Sequence, residues 1–171
     1  WRNGGSVSET EKKEPQVKVE YVTPGMQKLL EVCRAKGAKN VAIAGGLDWA
    51  YDLRGVASGH ALNDASGNGV VYDSHFYPMK KWFTHGDTKS QDWDRIVLSG
   101  GGKYPVLIGE FGDGKDNYES KVIEFAKEHD LPWTAWCLHP GAKPNLIKDW
   151  NYTTTDYGAV VKEALQAASS R

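Results

Sequence analysis

Glu110 closes the run Tyr104-Pro-Val-Leu-Ile-Gly-Glu-Phe-Gly112, an apolar stretch that stops on a carboxylate between two glycines. A short apolar run bounded by turn residues predicts a fully buried parallel strand. Glu110 then falls at the C-terminal end of that strand, where parallel α/β folds gather their reactive groups. Gly109 and Gly112 leave room for a substrate or a second backbone. Taken alone, the stretch fits either a reactive carboxylate or a strand end whose Glu turns to water. The run Val70-Val-Tyr-Asp-Ser-His-Phe-Tyr-Pro78 has the same form, an apolar start followed by polar and aromatic residues. His75 and Tyr77 are two residues apart there and share one face of a strand. Asp48 and Asp73 are further acids near strand ends, with no role legible in the sequence.

Other chemistries find little support. His60, His75, His85, His129 and His139 form no His-Glu-x-x-His spacing and the chain has no Cys-x-x-Cys, so neither a metal site nor a cofactor is expected. No Gly-x-Gly-x-x-Gly follows a predicted strand, and there is no Gly-x-x-x-x-Gly-Lys-Ser/Thr loop for phosphates. Two cysteines, Cys33 and Cys137, make no disulfide framework, and both read as small core residues. With 21 basic and 22 acidic residues the formal charge is −1, which argues against nucleic acid or an anionic membrane as partner. No run of about 18 apolar residues is present to span a bilayer. The chain carries 7 Trp and 8 Tyr, whose flat faces suit sugar rings as well as cores.

The elements that must position these residues follow from periodicity. The 171 residues, 40% hydrophobic and 25% charged, suit one domain with one core. Residues 6–20 are polar, with a charge cluster from Glu9 to Glu14, and predict an exposed loop; residues 1–22 read as a lead-in. Thr23 is placed to cap a helix that starts at Pro24, carries Met26, Leu29, Leu30 and Cys33 on its inner row, and ends at Gly37. Strands are predicted over residues 40–44, 70–78, 104–112 and 131–138. A long loop with about one helical turn covers residues 51–69. Ser90 can cap a helix over 91–98. Asp116 or Asn117 can open another, with Val122, Ile123, Phe125 and Ala126 inward. Alternation in the fourth strand puts Trp133, Ala135 and Cys137 on one face and Thr134 and Trp136 on the other. A long aromatic loop over 139–155 leads to a last helix capped by Thr155 and running to about residue 168. Alternating strands and helices give an α/β fold with βαβ units and a parallel sheet. Every strand ends in polar or aromatic residues, as at the catalytic face of a (β/α)8 barrel, which usually needs about 250 residues.

Four pieces carry a resemblance: Gly45-Gly-Leu-Asp-Trp-Ala, His75-Phe-Tyr77, Gly109-Glu-Phe-Gly112 and Thr134-Ala-Trp-Cys137. In this order, each at a predicted strand end, they resemble the second half of glycoside hydrolase family 5, the cellulase or endoglucanase type, over residues 24–158. The resemblance implies a TIM barrel of which this chain supplies strands five to eight, residues 1–171 being a single half-barrel segment. It implies that Glu110 is the nucleophile of a retaining hydrolase of β-1,4-glucan. Tyr77 then donates to Glu110, and His75 positions a carboxylate or binds a sugar hydroxyl. Trp136 stacks under the sugar, and Trp49 lies beside the neighbouring subsites. Trp133 reads as core, and Trp82, Trp93 and Trp150 as packing or rim. The implied partner is a β-glucan polysaccharide or oligosaccharide, and the implied location extracellular, although no signal peptide opens the sequence.

One family feature is missing. The general acid/base is expected as a Glu in Asn-Glu-Pro at the end of strand four, and the sequence contains no Asn-Glu-Pro. Glu14-Pro15 follows Lys13, with no apolar strand leading in. The chain is therefore expected to begin inside the barrel, just after that Glu. The alternative is a catalytically silent half-barrel that binds carbohydrate or self-assembles. Two open sheet edges predict a homodimer of half-barrels, with residues 41–44 and 134–137 at or near the interface.

Overall fold

The computed structural model describes residues 1–10, 15, 17–78, 103–113 and 117–169. The predicted helix over 91–98, Trp82, Trp93, His85, Glu14 and Asp116 lie outside these.

The polar lead-in is not a loop. β1 (Gly5–Thr10) and β2 (Lys18–Thr23) form an antiparallel hairpin, with Val7 opposite Tyr21 and Glu9 opposite Val19. The charge cluster suggests a loop, but Val19, Tyr21 and Val22 bring strand propensity, and the cross-strand pairs use it. The Thr23 hydroxyl donates to the Gly5 carbonyl at 3.2 Å and caps no helix. Pro24 itself takes the N-cap position of α1 (Gly25–Ala35), and Gly37 follows its end at a φ of 88° that suits glycine.

Of the expected inner row of α1, Leu30 is buried and Met26 packs on the core, but Leu29 is 48% exposed and Cys33 is exposed. Cys33 is therefore no core residue. Among the described residues no strand pairs with the far side of β3, so the outer part of this row has nothing to cover it.

Arg34, near the end of α1, ties the helix to the loop before β4. Its Nε and Nη2 donate to the two Asp64 oxygens at 3.2 and 2.9 Å, and its Nη1 to the Asn40 carbonyl at 2.7 Å. The side chains are only 11% and 6% exposed. Arg34 first, then Ser66, holds the Asp64 carboxyl well below the usual carboxylate range. A lowered folded pKa contributes stability above the unfolded value of about 3.9 and loses it as pH falls through the folded pKa. Asp64→Asn should therefore lower Tm at about pH 7 and flatten its decline below about pH 5. Equal acid-side slopes for both proteins in thermal melts would contradict this.

Three parallel strands form the sheet in the order β3 (Ala42–Gly45), β4 (Val70–Phe76), β5 (Val106–Phe111). Alternation sorts β4 cleanly. Tyr72, Ser74 and Phe76 are buried, while Val71, Asp73 and His75 face the other side and are partly open. The buried side meets the helices α2 (Tyr118–Glu128) and α3 (Asp156–Ser169). Phe76 packs on Phe125 at 6.0 Å and Phe111 on Tyr157 at 6.3 Å, and Ile108 and Val122 are fully buried. Ser74, the buried hydroxyl of this layer, is satisfied by donating to the Tyr51 carbonyl at 2.8 Å. Asn117 opens α2 from a left-handed conformation, and Thr155 caps α3 by accepting from the Gly158 N–H at 2.9 Å.

The expected fourth strand is reduced to one parallel bridge, Ile108 to Trp133. Pro132 offers no N–H to a ladder. Beyond Trp136 the chain turns back on itself, with Cys137 accepting from the Leu146 N–H and donating to the Pro144 carbonyl, each at 3.0 Å. The alternation itself persists: Trp133, Ala135 and Cys137 are partly buried, and Thr134 and Trp136 are exposed. Trp133 packs edge-on against Phe111 at 5.5 Å, whereas Trp150 is 62% exposed at the rim.

Candidate active site

The strands are parallel, so the residues at their C-terminal ends meet at one edge of the sheet. His75 and Tyr77 come from the end of β4 and Glu110 from the end of β5, where His75 and Glu110 are register partners. The Tyr77 hydroxyl donates to Glu110 Oε2 at 2.9 Å. His75 Nδ1 faces the same oxygen at 3.4 Å. Both contacts fall on Oε2; among the described residues no hydrogen bond is made to Oε1. The Glu110 side chain is 27% exposed, so a substrate can reach it.

Burial first, then the bond to Glu110, pushes the Tyr77 phenol far above its ordinary range. Tyr77 therefore stays protonated and remains a donor to the carboxylate. The Cys137 thiol is also raised, by burial and then by the charge of Glu110, which places it within the field of this carboxylate.

Asp73 is the residue that sequence reasoning left without a role. It lies two residues before His75 on the same face of β4, so the stripe Asp73, His75, Tyr77 was open to the period-2 rule. Its Oδ2 accepts from His75 Nε2 at 2.9 Å, and its Oδ1 accepts from the Gly109 N–H at 2.8 Å. The pairing of β4 with β5 slips here: Ser74 opposes Ile108, His75 opposes Glu110, and Gly109 is the extra residue. A Cβ at residue 109 would lie 2.1 Å from Asp73 Oδ1, so glycine is required for space.

The segment that bridges β5 at Trp133, on the side away from β4, supplies Thr134 and Trp136. The Thr134 hydroxyl donates to the Gly109 carbonyl, and the Trp136 N–H donates to the Phe111 carbonyl at 3.0 Å. Trp136 is thus held beside the end of β5 and is 38% exposed. Trp49 sits on the turn after β3, at the same end of the sheet and 80% exposed. Asp48, Trp49 and Ala50 take left-handed φ values of 55°, 55° and 63°. L-residues avoid this region at about 1–2 kcal/mol each. The turn is held by the paired bonds between Leu47 and Asp52, at 3.0 and 2.9 Å. Among the described residues no group of three metal-ligating side chains is arranged around an ion site.

A partly exposed carboxylate at a strand end, anchored through one oxygen, is a group that can act as a nucleophile. Residues 7–142 match the family Cellulase (glycosyl hydrolase family 5). The chain belongs to glycosyl hydrolase family 5. Endoglucanase A of Evansella cellulosilytica is 25% identical over 169 residues, covering 88% of this chain and 32% of that protein. A β-glucanase from Saccharophagus degradans, solved with cellotetraose, superposes with a TM-score of 0.69 at 22% identity, covering 82% of this chain and 46% of that one. A β-mannanase from Thermomonospora fusca, solved with mannohexaose, gives 0.56 at 21% identity, covering 75% of this chain and 43% of that one. These likenesses give the fold, a (β/α)8 barrel of which this chain covers a part. The chain spans about a third of the length of Endoglucanase A and under half of these two solved glucanase and mannanase chains.

Proposed function

We propose that the chain supplies strands five to eight and the nucleophile of a retaining β-1,4-glucan hydrolase. One observation carries the reading: Glu110 is held through Oε2 by the Tyr77 hydroxyl while Oε1 accepts no hydrogen bond among the described residues. In the reaction Oε1 attacks the anomeric carbon, and the bond to the leaving oxygen breaks with its electron pair. A glycosyl-enzyme ester forms, which water then hydrolyses. The second carboxyl, the general acid/base, must sit about 5–5.5 Å from Glu110 in a retaining site. No Asn-Glu-Pro occurs here, and Asp73 is engaged at both oxygens, so in this reading the acid comes from the remainder of the barrel. Trp136 forms the floor under the sugar at the cleavage point, and Trp49 serves a neighbouring subsite. The endoglucanase and the glucanase solved with cellotetraose support β-glucan as the substrate, and the proposal places its cleavage outside the cell.

A leaving group that needs no proton tests this directly. The chain should cleave 2,4-dinitrophenyl β-cellobioside, because dinitrophenolate departs unaided. Tyr77→Phe should slow that step about 10- to 100-fold, the equivalent of the ~1.5–3 kcal/mol of a hydrogen bond to a charged group. An unchanged rate would remove Tyr77 from the site.

Assembly belongs to the same reading. Val41 and Ile43 are 55% and 61% exposed beside the edge of β3 that pairs with no strand among the described residues. We propose that a second copy covers this edge, pairing two half-barrels through residues 41–44 and 134–137. Sedimentation should show a dimer that dissociates on dilution. A monomer at every concentration, unfolding cooperatively, would rule the pairing out.

A further inference from the structure

We propose that Asp73 is a positioning residue for Glu110, acting through the His75 ring and through the backbone of β5. The inference rests on the reading of Glu110 as nucleophile. Asp73 is 14% exposed, and its two oxygens accept from two different elements. Oδ1 takes the Gly109 N–H at 2.8 Å, and Oδ2 takes His75 Nε2 at 2.9 Å.

The first bond seats the bulge. Gly109 is the unpaired extra residue of β5, so its N–H has no ladder partner on β4 and turns to Asp73 instead. The residue after Gly109 is Glu110, so fixing this peptide fixes the direction in which the Glu110 side chain leaves the strand. The second bond sets the imidazole. A carboxylate only accepts, so Nε2 must carry a proton toward Asp73. Nδ1 is then turned to Glu110 Oε2 at 3.4 Å, so the bond to Asp73 sets where the ring lies beside that carboxylate. Asp73 thereby fixes the tautomer and the place of the His75 ring beside Glu110.

Asparagine has the same shape but only one acceptor oxygen. In Asp73→Asn the side chain can accept from Gly109 or from His75, and its NH2 must face the other. With the oxygen on Gly109, the NH2 meets Nε2, and the imidazole proton moves to Nδ1. This exchange is visible in the ¹⁵N–¹H correlation spectrum of the imidazole rings, recorded on the ¹⁵N-labelled chain near neutral pH without substrate. In the wild type, His75 should show a protonated Nε2. In Asp73→Asn, Nε2 should lose its proton. The rate at which 2,4-dinitrophenyl 2-deoxy-2-fluoro-β-cellobioside labels Glu110 should fall about tenfold or more. A purely structural Asp73 would leave the tautomer in place.

A wild-type His75 protonated at Nδ1 alone would overturn the proposal without any variant. So would an Asp73→Asn chain whose ring and labelling rate both match the wild type, or one whose ring changes while the rate does not. The two readings fail separately, because the ring signal is read without substrate. If Glu110 is never labelled in the wild type, the nucleophile assignment falls and takes the positioning role with it, whatever the ring shows.

Discussion

Glu110→Gln should cleave 2,4-dinitrophenyl β-cellobioside roughly a thousandfold or more slowly than the wild type, as expected when a covalent nucleophile is removed. The substitution changes one atom. Tyr77 can still donate to the amide oxygen, and the 27% exposed side chain carries little of the packing. What is lost is the anionic oxygen that forms the ester with the anomeric carbon. Thermal unfolding should stay within a few degrees of the wild type, as for a substitution away from the core. Loss of rate with an unchanged Tm is the signature of chemistry. Loss of both would mean that Glu110 is structural, and the assignment of the site would fail.

The second large effect is the reverse, a loss of stability. Phe111, next to Glu110, has no exposed surface. Its ring packs edge-on against Trp133 at 5.5 Å and Tyr157 at 6.3 Å. Its carbonyl accepts from the Tyr157 hydroxyl at 2.6 Å and the Trp136 N–H at 3.0 Å. One residue thus joins β5, the Trp133 segment and α3. Phe111→Ala removes the ring and leaves a cavity among three elements that cannot all close in on it. The expected cost is about 3–5 kcal/mol, seen as a fall in Tm of about 6–20 °C. Because Trp136 hangs from the same carbonyl, binding of cello-oligosaccharide should weaken at temperatures where the variant is still folded. A shift of under about 2 °C would mean that the region closes over the cavity at no cost.

The sequence disclosed what depends on neighbours in the chain. The period-2 pattern of β4 predicts that His75 and Tyr77 share a face, and the apolar run before Glu110 predicts a strand ending on that residue. The pieces around Trp49 and Trp136 fall at the same end because parallel strands put every C-terminus on one side. What was not legible depends on pairing. The bulge at Gly109 exists only in the register of β5 against β4, and without it nothing in the sequence gives Asp73 a function. Cys33 sits on a sound helical row, yet it is exposed because no described strand continues the sheet past β3. The β1–β2 hairpin was hidden by its own charges, although the alternation of Val17, Val19 and Tyr21 was a strand signal. Residues 131–138 kept their alternation but not their ladder, since Pro132 cannot donate and the chain folds back after Trp136.

The proposed hydrolysis depends on which atom attacks the sugar. The chain should be treated with 2,4-dinitrophenyl 2-deoxy-2-fluoro-β-cellobioside, in which the fluorine slows breakdown of the ester and the leaving group requires no acid. Intact mass should rise by one fluorocellobiosyl group, and peptide mapping should place it on Glu110, within Val106–Phe111. An adduct on another carboxylate, such as Asp73 or Asp48, or a chain that binds the sugar and never gains the mass, would contradict it.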